Sequence, residues 1–210
     1  MNYLAHIYLS GSNPKHAIGN FMADAIKGGD WKNYPKDFQK GILLHRAIDQ
    51  FTDSHPLFRK HVRLLFPTYR HYSRVIVDMY YDHFLSCFWE HYHPVPLRKF
   101  VIAFHSILDQ YYSDLPPQFQ KRISILKREE WLLRYQSVSD LKSILSQMER
   151  RTRFPSRLSY SVTELTANYP SLKEDFFVFF EALARFCKFH SRAGDYLNIP
   201  YFENLKNSER

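Results

Sequence analysis

Proline divides this chain into pieces of helical length. Breaks fall at Pro35, Pro56, Pro67, Pro94 with Pro96, Pro116-Pro117, Pro155 and Pro170, and the apolar residues between them recur with helical spacing. The spacing predicts helices near 14–28, 36–54, 57–66, 70–92, 95–112, 118–134, 138–150, 156–168 and 170–191. Glycine is too scarce for a strand-rich alternative. Only six occur, four of them before position 30, which leaves little of the turn punctuation that sandwiches and barrels need. The fold class is therefore all-α: an irregular helical bundle in a single domain over residues 1–200, with a polar tail at 201–210.

Hydrophobic residues make up 45% of the chain and aromatics 17%, enough to pack such a bundle and to exclude a disordered chain. Cys87 and Cys187 are far apart in apolar helical segments, so neither a disulfide framework nor a thiolate zinc site is expected. The N-terminal MNYLAHIYLSGSN has no basic region and too short an apolar run for a secretory signal, and no segment reaches the length of a membrane span. A cytoplasmic protein without membrane insertion is the expectation. The net charge of +8 favours an acidic partner.

The chemistry is concentrated where polar residues interrupt apolar faces. Ser73 to Trp89, SRVIVDMYYDHFLSCFW, is apolar on every side and must be largely buried as a helix, yet it carries Asp78, Asp82 and His83. Asp78 and Asp82 lie one turn apart and point the same way, a costly pairing of like charges unless a cation or hydrogen-bond donors compensate it. In the helix at 36–54 the stripe of Phe38, Ile42, Ile48 and Thr52 runs through His45 and Asp49, and Asp53 continues the row. A His and an Asp at i and i+4 suit one ion. Carboxylates and imidazole without thiolate favour Mn²⁺, with Mg²⁺ or another divalent metal as the alternative.

The first predicted helix adds Asn20 and Asp24 one turn apart beside Ala17, Phe21 and Ala25. His6 is a candidate ligand or proton shuttle, and Arg46 a candidate phosphate contact. The expected metal set is thus Asp24, His45, Asp49, Asp53, Asp78 and Asp82, with His83, His6 and Arg46 as catalytic candidates. Arg150, Arg151, Arg153 and Arg157 form a basic stretch that reads as solvated surface or as a docking site for an acidic partner.

At these same residues the sequence resembles the bacterial acyl carrier protein phosphodiesterases. The motifs are MNYLAH at the N-terminus, GNFMADAIKG at 19–28, GILLHRAIDQFTDSHP at 41–56 and VDMYYDHFLSCFW at 77–89, with a weaker echo in EEWLLRYQ at 129–136. The resemblance implies Mn²⁺-dependent hydrolysis of the phosphodiester that links 4′-phosphopantetheine to a serine of holo-acyl carrier protein, a small acidic protein substrate. It also implies a distant relationship to the all-helical HD phosphohydrolases, from whose adjacent His-Asp pair this chain departs: Arg46 follows His45, and Asp82-His83 is reversed. Motif matching carries over His6, Asp24, His45, Asp49, Asp53, Asp78, Asp82 and His83. Two alternatives stand beside it: a metal-dependent phosphohydrolase of nucleotides or another small phosphodiester, and a basic, non-catalytic RNA-binding protein. No nucleic-acid motif is present, so a protein partner and not a nucleic acid is expected.

Overall fold

The computed structural model describes residues 3–190, and every regular element among them is helical. The expected all-α class holds. The polar tail expected at 201–210 and the last part of the expected domain lie outside the described residues. In chain order the α-helices are α1 (Tyr3–Leu9), α2 (Pro14–Met22), α3 (Lys36–Ser54), α4 (Pro56–Tyr69), α5 (Ser73–Cys87), α6 (Leu97–Gln110), α7 (Pro117–Arg128), α8 (Val138–Glu149), α9 (Val162–Ala167) and α10 (Tyr169–His190). Short 3₁₀ turns join several of them.

The prolines mostly open helices. Pro14, Pro56 and Pro117 occupy first-turn positions, where the missing N–H costs nothing, and Pro35, Pro96 and Pro116 immediately precede α3, α6 and α7. Side-chain caps add to this: Asn13 accepts from Lys15 N, His55 from Leu57 N and Ser137 from Asp140 N. Pro67 is the exception. A break was expected there, but α4 runs through it to Tyr69, at the cost of one backbone bond.

Other boundaries differ from expectation too, and the expected helix at 70–92 is α-helical only over α5. α2 stops at Met22 and tightens into a 3₁₀ turn over Ala23–Ala25, so Asp24 leaves the helix before Gly28 turns the chain at φ 49°. The expected helix at 118–134 ends at Arg128, where Glu130 takes a left-handed φ of 47°. The expected helix at 156–168 is α-helical only over α9, since Arg157 is left-handed at φ 51° and a 3₁₀ turn, Leu158–Ser161, follows. No helix was expected before residue 14, yet α1 is there with Leu4 to Leu9 all buried. Seven residues are too few to form a helix alone, so packing holds α1 together.

α5 is the axis of the bundle, with Ile76, Val77, Tyr81, Phe84 and Leu85 at zero exposure and α1, α4, α8 and α10 packed around it. α2 and α3 meet more closely than any other pair. Glycine permits this: a Cβ on Gly41 would stand 2.2 Å from the carbonyl oxygen of His16, and one on Gly19 would stand 2.3 Å from that of Phe38. Among the described residues no helix is long and apolar enough to cross a membrane.

Candidate metal centre

The close contact of α2 with α3 fixes the centre. α3 turns His45 and Asp49 toward α1 and α2, α1 contributes His6, and the 3₁₀ turn after α2 contributes Asp24. The rings of His6 and His45 stack with centroids 4.0 Å apart and planes 18° apart. Their Nε2 atoms both face Asp49, at 3.3 Å to Oδ1 from His6 and 3.1 Å to Oδ2 from His45. His45 Nε2 also lies 3.1 Å from Asp24 Oδ1.

Behind the rings sits Asn20, fully buried. Its side-chain oxygen is 2.8 Å from Nδ1 of His6 and 3.1 Å from Nδ1 of His45, and its own carbonyl is 2.9 Å from the latter. Its amide nitrogen donates to the His6 carbonyl and to Ser10 Oγ, both at 2.9 Å, which forces the oxygen toward the two rings. Both Nδ1 atoms are therefore N–H donors. That tautomer leaves each Nε2 to face the carboxylates, the arrangement that metal-ligating histidines adopt when the other nitrogen is tied to an oxygen.

Burial lowers His6 to about 4, with the neighbouring His45 charge adding to the effect. A neutral imidazole thus aims a lone pair at a carboxylate. Burial also opposes a charge on His45, but the hydrogen bonds to Asp24 and Asp49 outweigh it and raise that ring to about 9. Burial works against the Asp49 anion too, and is overcome chiefly by the hydrogen bond from His45, which holds the carboxyl far below its usual range. Asp24 is lowered first by its bond to His45.

His6, His45 and Asp49 offer ligand atoms all within 4.8 Å of one another, two imidazoles and a carboxylate, a donor set for a divalent ion. His45 and Asp49 border a cavity of about 330 Å³, whose other walls are Asp24, Thr52, Asp53, Arg74 and Asp78. Thr52 Oγ1 is buried in that wall with no hydrogen-bond partner among the described residues, a polar atom left for something in the cavity to satisfy. The residues present therefore fit a metal.

Asp24, His45, Asp49, Asp53 and Asp78 are brought together as expected candidates, and His6 joins them. Burial raises the Asp78 carboxyl, with the charges of Asp49 and Asp53 adding to it. Asp82 is one turn deeper on α5, where its Oδ2 accepts from Leu4 N at 3.2 Å and caps the first turn of α1. His83 faces elsewhere: Nδ1 donates to the Tyr135 carbonyl at 2.7 Å and Nε2 meets Tyr169 Oη at 3.2 Å. Arg46 donates to the carbonyls of Ile26 and Gly28, pinning the turn that follows Asp24. Arg150, Arg151, Arg153 and Arg157 are exposed, and none lines the metal cavity.

Two participants went unread in the sequence. Asn20 was noted only as a neighbour of Asp24. Arg74, which sits 2.6 Å from Asp53 in the cavity wall, was passed over although it precedes Asp78 by one helical turn, the spacing that places both on one face. Across Asp78 lies a larger cavity of about 560 Å³, walled mainly by apolar groups including Met79, Phe119, Ile123, Ile144 and Leu158, with Arg151 among its lining residues.

The chain matches the sequence profile of a family described as acyl carrier protein phosphodiesterase over residues 1–183. Relatives named acyl carrier protein phosphodiesterase include one from Photorhabdus laumondii subsp. laumondii, 32% identical over 86% of this chain and 91% of its own length. Those from Salmonella dublin and Enterobacter sp. (strain 638) are each 33% identical over 86% of this chain and 94% of their own. No solved structure matches.

Proposed function

We propose, from the premise that this chain belongs to the acyl carrier protein phosphodiesterase family, that it removes 4′-phosphopantetheine from holo-acyl carrier protein by metal-dependent hydrolysis. The observation that carries this reading is the shared wall at Asp78. On one side is a His and Asp cluster suited to a phosphodiester. On the other is a mainly apolar cavity of about 560 Å³, with room for a long arm and poorly suited to a nucleotide, which supports the carrier protein over the small-molecule alternative.

His6, His45 and Asp49 would hold the ion, Mn²⁺ by the mixture of imidazole and carboxylate, with Asp24 beside them. Bound there, a divalent metal supplies Lewis-acid polarisation of the phosphodiester and acidification of water. Asn20 keeps both rings in the ligating tautomer. Arg74 shifts from Asp53 to a phosphate oxygen, the role expected of Arg46, which is tied instead to backbone carbonyls. Asp78, which lines both cavities, is placed to pass a proton to the departing serine oxygen. His83 then serves the bundle as a hydrogen-bonded tether. The exposed arginines from 150 to 157, of which Arg151 lines the apolar cavity, offer the acidic carrier protein a secondary basic surface. Cys87, a thiol and not half of a disulfide, fits a cytoplasmic setting for this reaction.

Mass spectrometry of holo-acyl carrier protein incubated with the protein and Mn²⁺, with chelator in a parallel tube, tests the proposal. Conversion to the apo mass in the metal tube alone is the expected result. Conversion in neither tube, with a nucleotide or other small phosphodiester turned over instead, would transfer the site to the second reading.

A further inference from the structure

A phosphodiester to a serine puts the carrier protein one bond from phosphorus, so the body of the partner must rest at the rim of the metal cavity and not at the far end of the arm. The rim is formed by Asp53, at the end of α3, and Arg74, at the start of α5. Their ion pair draws together the two ends of the segment that carries α4, which places that helix beside the cavity. Arg59 strengthens the junction by donating Nε to the Asp53 carbonyl at 2.9 Å.

The charge of this segment is one-sided. Residues 54–77 contain Arg59, Lys60, Arg63, Arg70 and Arg74 and no Asp or Glu. α4 buries Phe58, His61, Leu65 and Tyr69, which turns Arg59, Arg63 and Phe66 outward along one solvent face at i, i+4 and i+7. Arg70 extends the row, its guanidinium 5.7 Å from the Phe66 ring centre. Leu64 and Phe66 are 49% and 44% exposed, large apolar groups set among cations. Lys60 is excluded, being held by Asp175 at 2.6 Å.

We infer that this outer face of α4, carried by Arg59, Arg63, Phe66 and Arg70, is the docking surface for an acidic protein whose serine phosphodiester enters the metal cavity. The inference rests on the substrate reading above. Acidic side chains of the partner meet the arginines, which steer the encounter, and an apolar side chain of the partner covers Phe66. The arginines from 150 to 157 have cations but no place at the cavity rim, so they contribute less.

The test compares Arg63→Glu/Arg70→Glu with Arg150→Glu/Arg153→Glu, both checked by circular dichroism for unchanged helicity. Holo-carrier hydrolysis is measured over a range of salt, and binding of fluorescently labelled apo-carrier, which has no arm, is followed by anisotropy. The α4 pair should raise KM roughly tenfold with kcat nearly unchanged, weaken apo-carrier binding to match and flatten the salt dependence. Arg63→Lys/Arg70→Lys should retain most of the affinity, because charge and not a fork geometry is required. Hydrolysis by the wild type with an unaltered KM in the α4 pair, or an effect confined to the 150/153 pair, would overturn the docking surface and leave the activity standing. No hydrolysis by the wild type would remove the substrate reading, and the docking surface with it.

Discussion

One asparagine decides the chemistry of two histidines here. Asn20 is locked by its own donors, so its oxygen has a single direction available, and both imidazoles respond by presenting Nε2 to the cavity. Asn20→Ala should therefore keep the fold while lowering metal affinity by about 10–100-fold, the usual cost of removing an outer partner of ligating histidines. Calorimetric titration with Mn²⁺ measures it, and affinity equal to the wild type would mean that the rings need no such support. His45, Asp49 and Asp53 were legible because their spacing is in phase with the apolar stripe of their own helix. Asn20 was not, since nothing local distinguishes an asparagine that satisfies two distant rings from one that faces solvent.

At the scale of elements, the centre depends on how near α2 comes to α3. Alanine at Gly41 would bring its Cβ within 2.2 Å of one backbone carbonyl and 2.8 Å of the Asn20 nitrogen, atoms that cannot swing aside. The helices must separate. Gly41→Ala should cost about 1–3 kcal/mol of stability and weaken metal binding at the same time, because Asn20 and Asp24 move with α2 while His45 and Asp49 stay with α3. Thermal melts and a metal titration on one sample check it; lost stability with intact affinity would show that the strain is relieved elsewhere. The acidic pair on α5 shows the opposite limit of a period argument. Asp78 and Asp82 do share a face, but α1 arrives over Asp82 and spends it on a backbone N–H, so one of two equivalent positions becomes part of the cavity and the other an anchor.

Over the whole molecule, the buried histidines shape the response to pH. His45 is raised to about 9 from 6.5, so its contribution to the metal-free protein is complete below pH 6.5 and is lost as pH climbs to 9. His6 is lowered to about 4, so the unfolded chain binds a proton that the fold refuses, and stability is lost as pH falls from 6.5 toward 4. Chelated protein should melt at its highest temperature near pH 6.5. The alkaline loss is moderated because the partner carboxylates are half exposed, and it should vanish when metal is added and ligation displaces the His45 proton. A chelated protein that grew more stable from pH 6.5 to 9 would contradict the assignment of charge to His45. The division of labour between sequence and structure follows the range of the interactions. Helical class, the proline-opened starts and the inward row on α3 were determined by the sequence alone, since period and capping act within a few residues. The stacking of His6 on His45, the pairing of Arg74 with Asp53 and the separate employments of Asp78 and Asp82 were decided only by the tertiary structure, because each depends on which distant helix packs against that face, and no local pattern encodes that choice.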